Sequence, residues 1–248
     1  MDPLADTLER FNRKERNLLI RDILGCQEKP LPLASDFCER LAKTVGISKE
    51  FLEGAWWATD FHFDWLAGAL LTFMKGDTPT RQDNRFHLVK GNQEDVDLIV
   101  VAHVPAAQTP HHLILIEAKI YGHFTKKQYE SKVARLEQLF DFYKSLETKS
   151  PRKITFHYIL YSPIRPANLV PKFLPWNSNV VSDPEHVHLM FTLPKPAGPS
   201  ILAVTRCNDK DEPDMEGGFW RCIKLPPRED AKSDVSSIPS SNVPANRQ

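Results

Sequence analysis

Three residues whose types and spacing could support chemistry lie in one stretch of the chain, between residues 93 and 135. Asp97 begins the apolar run DLIVVA, and Glu117 and Lys119 end the run LILIEAK. Both runs are short and rich in β-branched residues, which is typical of strands. Side chains alternate across a strand, so Glu117 and Lys119 are predicted to point to the same face.

The elements that must position these residues form a predicted hairpin. The segment between the runs, HVPAAQTPHH, contains Pro105 and Pro110, which bar a continuing strand. In a hairpin centred near Ala107, opposed residue numbers sum to about 214, which sets Asp97 across from Glu117. Carboxylates so placed repel each other, and a divalent cation between them would reverse that penalty. Because Mg²⁺ takes one or two carboxylates plus water and phosphate oxygens, the residues suggest a site for metal-assisted phosphoryl transfer.

This arrangement resembles the PD-(D/E)xK nuclease superfamily, which has the restriction-endonuclease-like fold. The matching residues are Asp97, the tripeptide Glu117-Ala118-Lys119, and Gln128 near the start of the next predicted helix. Val96 stands where the family name has proline. The resemblance covers residues 59–162, about the size of one domain core, and implies an α-β-β-β-α-β order.

The resemblance also implies roles for these residues. Asp97, Glu117 and the carbonyl of Ala118 would bind Mg²⁺, for which Mn²⁺ can substitute, and Lys119 would orient the attacking water. Gln128 would position water or phosphate. The implied function is a Mg²⁺-dependent nuclease that hydrolyses phosphodiester bonds, with DNA as the first candidate substrate. The alternatives are an inactive nuclease-fold module that binds nucleic acid or a protein partner, and a surface hairpin with an exposed Glu-Lys pair.

Three further candidates lie on predicted helices. A helix predicted over residues 59–74 is apolar almost all round, and Asp64 shares a face with its apolar residues. A buried carboxylate needs hydrogen bonds, a cation or a metal, so Asp64 is either a metal ligand, as the resemblance suggests, or a structural acid. A helix predicted over residues 126–146 carries Lys132 and Arg135 beside Gln128 on a polar stripe. These two cations are candidates to contact nucleic-acid phosphates, or else form a solvated face.

The histidines and cysteines give weaker signals. His111-His112 and the pair His186/His188 have no third ligand at zinc spacing in the sequence. His123, in the loop after Lys119, is the histidine that the sequence places nearest to the predicted site. The four cysteines contain no CxxC pair, which argues against structural zinc and favours free thiols in a reducing compartment.

Composition limits the classes of partner. The chain has 248 residues with 32 Lys+Arg and 32 Asp+Glu, so nucleic acid would have to bind a local patch rather than a basic surface. No apolar run reaches the roughly 18 residues of a membrane span, and the N-terminus does not read as a signal peptide. We therefore expect a cytoplasmic protein with nucleic acid, DNA foremost, as partner, no membrane partner, and a homodimer as one candidate assembly.

The predicted fold class is α/β: a restriction-endonuclease-like mixed sheet flanked by helices, with a helical N-terminal cover. We expect the cover over residues 1–58, the core with added C-terminal strands over 59–225, and a disordered tail over 226–248. Within the cover, one helix is predicted from Leu4 to Gly25 and two short helices over 37–45 and 49–57. Strands are predicted over 85–89 and 153–161, and runs at 187–193, 200–206 and 219–225 are candidates to extend the sheet.

Overall fold

The computed structural model describes residues 2–25, 31–76, 84–85, 87–91, 94–105, 109–119, 124–147, 152–162, 188–190 and 202–224. The chain divides into two compact units, Met1–Phe191 and Thr192–Gln248. The predicted disordered tail at 226–248 and His123 lie outside the described residues. None of the helices in the described ranges combines the length and apolar character needed to cross a bilayer.

The chain begins with four helices. They are α1 (Pro3–Phe11), α2 (Glu15–Ile23), α3 (Ser35–Val45) and α4 (Glu50–Glu53). The single helix predicted from Leu4 to Gly25 is therefore wrong, because Asn12 adopts an extended conformation and its side-chain oxygen accepts a hydrogen bond from the N–H of Lys14 at 3.2 Å. Gly46 ends α3 with φ 72°, as the sequence predicts.

A five-stranded mixed sheet follows, in the order β1-β2-β3-β4-β5. Its elements are β1 (Trp56–His62), α5 (Phe63–Lys75), β2 (Asp95–His103), β3 (His111–Ala118), α6 (Lys126–Glu147), β4 (Ile154–Ser162) and β5 (His188–Met190). β1, β2 and β3 are antiparallel neighbours, whereas β4 is parallel to β3 and β5 is parallel to β4. Parallel neighbours need a long crossover, and α6 supplies the one between β3 and β4.

The first strand differs from the prediction. Residues 56–62 form β1, paired with β2 from Trp56↔Val101 to His62↔Asp95, and the helix begins only at Phe63. Arg85 and residues 87–89, within the strand predicted over 85–89, lie outside regular secondary structure, so that prediction is wrong for them. The order from Trp56 is thus β-α-β-β-α-β-β rather than α-β-β-β-α-β. A run that is apolar on all sides does not distinguish a buried strand from a buried helix, which is why the sequence misassigned it.

Helices cover both faces of the sheet. On one face α1, α5 and α6 pack over a cluster that includes Leu4, Leu70 and Leu136. On the other face α3 and α4 cover a second cluster that includes Leu41 and Leu52. Both faces of β3 are consequently buried, since Leu113 and Leu115 lie in the first cluster and Ile114 and Ile116 in the second. Only the end of such a strand can present polar groups without burying them fully.

The second unit contains β6 (Leu202–Cys207) and β7 (Phe219–Lys224), which form a two-stranded antiparallel sheet. Of the three C-terminal runs considered as additions to the main sheet, β5 joins it, while β6 and β7 pair with each other. The prediction of added strands in one sheet is therefore right only for β5.

Candidate metal centre at the ends of β2 and β3

The β2–β3 hairpin has the register that the sequence predicts. The β2–β3 ladder runs from His103↔His111 to Leu98↔Ile116, so paired residue numbers sum to 214. Continuing the register by one residue sets Asp97 opposite Glu117. The Oδ2 atom of Asp97 accepts a hydrogen bond of 2.6 Å from the backbone N–H of Ala118, which ties the carboxylate to the end of β3. A carboxylate has lone pairs for about four contacts, so this bond leaves Asp97 able to bind a cation.

Glu117 is the buried acid of the pair. Its side chain is only 11% exposed, and its pKa is raised by burial first and by the charge of Asp97 second. The charges of Lys132 and Lys119 act in the opposite direction. The Oε2 atom has no hydrogen-bond partner among the described residues, although Lys132 Nζ lies 3.3 Å away as an ion pair. An ionised carboxylate in this position is incompletely compensated.

Lys132 reaches the acid pair from α6. It also donates a hydrogen bond to the carbonyl of Asp95, and its Nζ lies 5.3 Å from the ring centroid of Phe63. This lysine was predicted to contact nucleic-acid phosphates; the structure gives it a counter-ion role for Glu117. The sequence signal was present, since Lys132 lies one helical turn after Gln128, but its partner depends on how α6 packs on the sheet.

A buried tyrosine lies near the acids. Tyr158 on β4 pairs with Leu115 in the β3–β4 register, and its hydroxyl has no hydrogen-bond partner in the described part of the chain. Its pKa is raised well above the ordinary value by burial first, and then by the charges of Glu117, Tyr129 and Asp97. The Tyr158 hydroxyl therefore lies within electrostatic reach of both Asp97 and Glu117. Nothing in the sequence singled out Tyr158.

The strand next to Asp97 is distorted. Asp60 in β1 has φ 51°, and the β1–β2 ladder passes from Thr59↔Leu98 to Phe61↔Val96 without a pair between Asp60 and Asp97. Ala58 and Phe61 both face the same core cluster, so the strand changes its alternation at Asp60. A non-glycine residue in the left-handed region is uncommon, and such positions concentrate at functional sites.

Asp95, which begins β2 two residues before Asp97, has a different partner. Its Oδ2 atom lies 3.1 Å from Lys14 Nζ in the segment between α1 and α2. Because Asp95 is neutralised by Lys14, Asp97 is the acid on β2 that shares its environment with Glu117.

Asp64 lies in the first turn of α5 and forms a separate cluster. Its Oδ1 atom lies 2.8 Å from Arg135, and its Oδ2 atom accepts a hydrogen bond of 3.0 Å from the N–H of Gly91. Arg135 also donates to the carbonyls of His87 and Leu88, and its side chain is 2% exposed. These contacts match the structural-acid alternative for Asp64. They place Arg135 in the interior, which corrects its prediction as a surface contact to phosphate.

Lys119 and Gln128 complete the predicted set. Lys119 is half-buried directly after β3, its N–H donates to the carbonyl of Tyr161 at 2.9 Å, and its charge acts on Glu117. Gln128 is exposed in the first turn of α6, where its N–H donates to the hydroxyl of Thr125 at 3.2 Å. It lies one turn before Lys132, on the stretch of helix nearest the acid pair.

The donors present fit a hard divalent cation. Asp97 and Glu117 supply two oxygen ligands on adjacent strands, and Glu117 Oε2 is a buried acceptor that a cation would compensate. Ala118, whose carbonyl is the third predicted ligand, directly follows Glu117 and donates its N–H to Asp97. No protein-family model matches this chain, and neither the curated proteins nor the solved structures contain a significant match.

Proposed function

We propose that the protein is a Mg²⁺-dependent phosphodiester hydrolase, a nuclease with DNA as its first candidate substrate. The observation that carries the proposal is the strand register that sets Asp97 opposite buried Glu117, whose pKa is raised by burial and by the charge of Asp97. Such a pair is costly for a protein that does not use it, because removing water from a carboxylate beside a like charge opposes ionisation. A bound cation would offset both the loss of water and the repulsion between the two carboxylates.

The resemblance to the PD-(D/E)xK superfamily supports the same assignment. Its acids occupy two adjacent antiparallel strands, and here Asp97 and the Glu117-Ala118-Lys119 tripeptide lie on β2 and at the end of β3. The helix that follows crosses to a parallel strand, as α6 does between β3 and β4. The restriction-endonuclease-like assignment of the whole fold is part of this proposal, with the helix α5 inserted between β1 and β2.

Each residue has a distinct role in the proposed reaction. Asp97, Glu117 and the Ala118 carbonyl would hold the metal, which would supply activation of water and neutralisation of phosphate charge. Lys119 places a positive charge where negative charge develops on the phosphoryl group. Gln128, exposed one turn before Lys132, orients water or a phosphate oxygen at the edge of the site.

Lys132 favours a second candidate function. Its ammonium already lies 3.3 Å from Glu117 Oε2 and lowers the pKa of this acid. If that ion pair persists when substrate is present, the site is a non-catalytic module that binds nucleic acid or a protein partner. The two candidates differ in turnover, and in whether Mg²⁺ displaces Lys132 from Glu117.

The test combines metal titration with cleavage assays on single- and double-stranded DNA and RNA. The parent should cleave only with Mg²⁺ or Mn²⁺, whereas Ca²⁺ should support binding far better than turnover because its coordination shell is larger and looser. Glu117→Gln should lose metal and activity together. Lys119→Ala should keep the metal and lose about 100-fold or more in rate, as when one preorganised charge stabiliser is removed.

Matched exposed residues on α6 provide the controls. Glu130→Gln and Lys127→Ala remove the same types of charge from the helix surface and should leave metal affinity and rate at the parental level. Nucleic-acid binding without cleavage, with the Lys132–Glu117 ion pair retained at saturating Mg²⁺, would favour the non-catalytic module. Absence of metal binding would refute the nuclease, and absence of nucleic-acid binding as well would leave the non-catalytic module without its nucleic-acid partner.

A further inference from the structure

A second group of possible metal ligands lies at the opposite end of the β2–β3 hairpin. His103 and His111 form the cross-strand pair that opens the ladder, and the carboxylate of Asp2 lies between them. Asp2 Oδ2 lies 2.7 Å from His111 Nδ1 and 2.9 Å from His103 Nδ1. The ligand atoms of these three residues all lie within 4.8 Å of one another. The sequence could not pair His111 with Asp2, because 109 positions separate them.

The carboxylate is held firmly in this position. The Oδ1 atom of Asp2 caps α1 by accepting hydrogen bonds from the N–H groups of Leu4 at 2.7 Å and Ala5 at 3.2 Å. Asp2 therefore presents Oδ2 to both imidazoles while Oδ1 fixes the orientation of the carboxylate.

Burial divides the cluster into a closed side and an open side. The side chains of Asp2 and His111 are each 9% exposed, and the ring of Phe73 packs edge-on against His111 with centroids 5.0 Å apart. His103 is 40% exposed. An ion at this point would have three protein ligands and a path to solvent on the His103 side, which is the coordination of a metal site with one position left for water.

We propose that Asp2, His103 and His111 bind a divalent transition-metal cation of the zinc class. Two imidazoles and one carboxylate suit Zn²⁺ and its first-row neighbours, whereas Mg²⁺ prefers oxygen ligands. Ligand atoms on a tetrahedron with bonds of about 2.0–2.1 Å lie roughly 3.3 Å apart, so the two contacts to Asp2 need to lengthen by only about 0.5 Å. The metal would take the place of the Nδ1 proton through which His111 bonds to Oδ2, and each imidazole would bind it in the neutral form that carries its proton at Nε2.

This site is independent of the proposed nuclease site. Six residues along β2 separate His103 from Asp97, which corresponds to about 20 Å at roughly 3.4 Å per residue. The two groups also differ in donor type, since Asp97 and Glu117 offer oxygen alone. Loss of one site should leave the other intact, and the failure of either proposal can be recognised separately.

The test is a zinc titration of chelator-treated, tag-free full-length protein by calorimetry, followed by Co²⁺ substitution. We expect one equivalent of Zn²⁺ to bind to a chain carrying Asp97→Asn and Glu117→Gln, and Co²⁺ to give the intense visible bands of a four-coordinate site. His103→Ala, at the half-exposed ligand, should weaken zinc affinity by about 100-fold or more. Asp2→Asn should weaken it as well while keeping α1 capped, because Asn is an equally good capping residue.

A histidine outside the cluster provides the control. His87 is exposed and has φ 50°, a conformation that Asn tolerates, so His87→Asn should leave zinc affinity unchanged. Circular dichroism of each variant checks that the fold is retained. Two results would overturn the proposal: zinc binding no stronger than that of scattered surface histidines, or zinc affinity unchanged in both His103→Ala and Asp2→Asn. The cluster would then serve only to hold the start of α1 against the hairpin by hydrogen bonds.

Discussion

Among single residues, Glu117 carries the largest electrostatic conflict near the proposed active site. It is buried, it lies beside a second carboxylate, and its cation partner Lys132 offsets only part of the resulting rise in its pKa. Glu117→Gln would remove the buried negative charge and its repulsion by Asp97, but it would also remove a proposed metal ligand. Stability and metal binding should therefore respond to Glu117 in opposite directions.

The raised pKa of Glu117 gives a first prediction. Between its ordinary value of 4.5 and its raised pKa, the folded protein binds more protons than the unfolded chain, so this group lowers stability as pH rises through that window. Without metal, Glu117→Gln should gain stability relative to the parent as pH increases. Saturating Mg²⁺ should reverse the difference, because it stabilises only the parent. Urea denaturation of both proteins across pH, with chelator and with Mg²⁺, measures this; parallel pH profiles in chelator would contradict it.

Arg135 gives a second prediction. It is buried against Asp64 at 2.8 Å and Glu94 at 3.7 Å, and it bonds two backbone carbonyls. Arg135→Ala leaves these groups without their cation, so it should cost about 3–5 kcal/mol in the free energy of unfolding. Lys127→Ala, on the exposed face of the same helix, should change it by less than about 0.5 kcal/mol. Equal small losses in both variants would show that the Arg135 cluster is solvated.

At the scale of elements, α6 supplies cations to two separate acids. Its apolar stripe, which includes Tyr129, Val133 and Leu136, packs on the sheet as the 4-3-4 spacing predicts. That packing turns Lys132 towards Glu117 and Arg135 towards Asp64. One helix thus neutralises acids from two different elements, β3 and α5.

The first helix gives a third prediction. Leu4 and Leu8 of α1 are fully buried in the cluster that also contains α5 residues, and Asp2 at its cap links it to the hairpin histidines. Leu8→Ala should lower the free energy of unfolding by about 2–5 kcal/mol, because it opens a cavity in this core. Leu19→Ala makes the same chemical change at a side chain that is 59% exposed on α2, and should cost less than about 0.5 kcal/mol. Chemical denaturation compares them, and similar losses would show that α1 is not part of the core.

At the scale of the whole molecule, both core clusters belong to the first unit. Their residues all fall between Leu4 and Tyr161, within Met1–Phe191. The total charge of the chain is balanced, with 32 residues of each sign, so recognition of a polyanion would depend on local charge such as Lys119.

A truncation gives the fourth prediction. A chain ending at Phe191 keeps both clusters and should unfold cooperatively, with a melting temperature close to that of the full chain. A chain ending at residue 153 lacks β4, which lies between β3 and β5, and should not fold. Calorimetry and circular dichroism of the two fragments measure this. A 1–191 fragment without a cooperative transition would show that the second unit is needed for folding.

Local signals in the sequence were sufficient for the hairpin and the long helix. Two β-branched runs flanking a proline-containing turn determined the register that brings Asp97 opposite Glu117, because a hairpin pairs residues whose numbers have a fixed sum. The apolar period of α6 likewise determined that Tyr129, Val133, Leu136 and Tyr143 are buried, although it did not determine the burial of Arg135. These features depend on neighbours within a few tens of residues, so the sequence alone determined them.

Only the tertiary structure decided β1 and the partners of the charged residues. Residues 56–62 became a strand because β2 offers an edge for pairing, a long-range interaction that overrides an ambiguous local pattern. Three ion pairs join residues that are distant in the sequence. Lys132 and Glu117 are 15 positions apart, Arg135 and Asp64 are 71 apart, and Asp2 and His111 are 109 apart. The sequence supplies such charges without their partners, because a partner is fixed only when packing brings distant elements together.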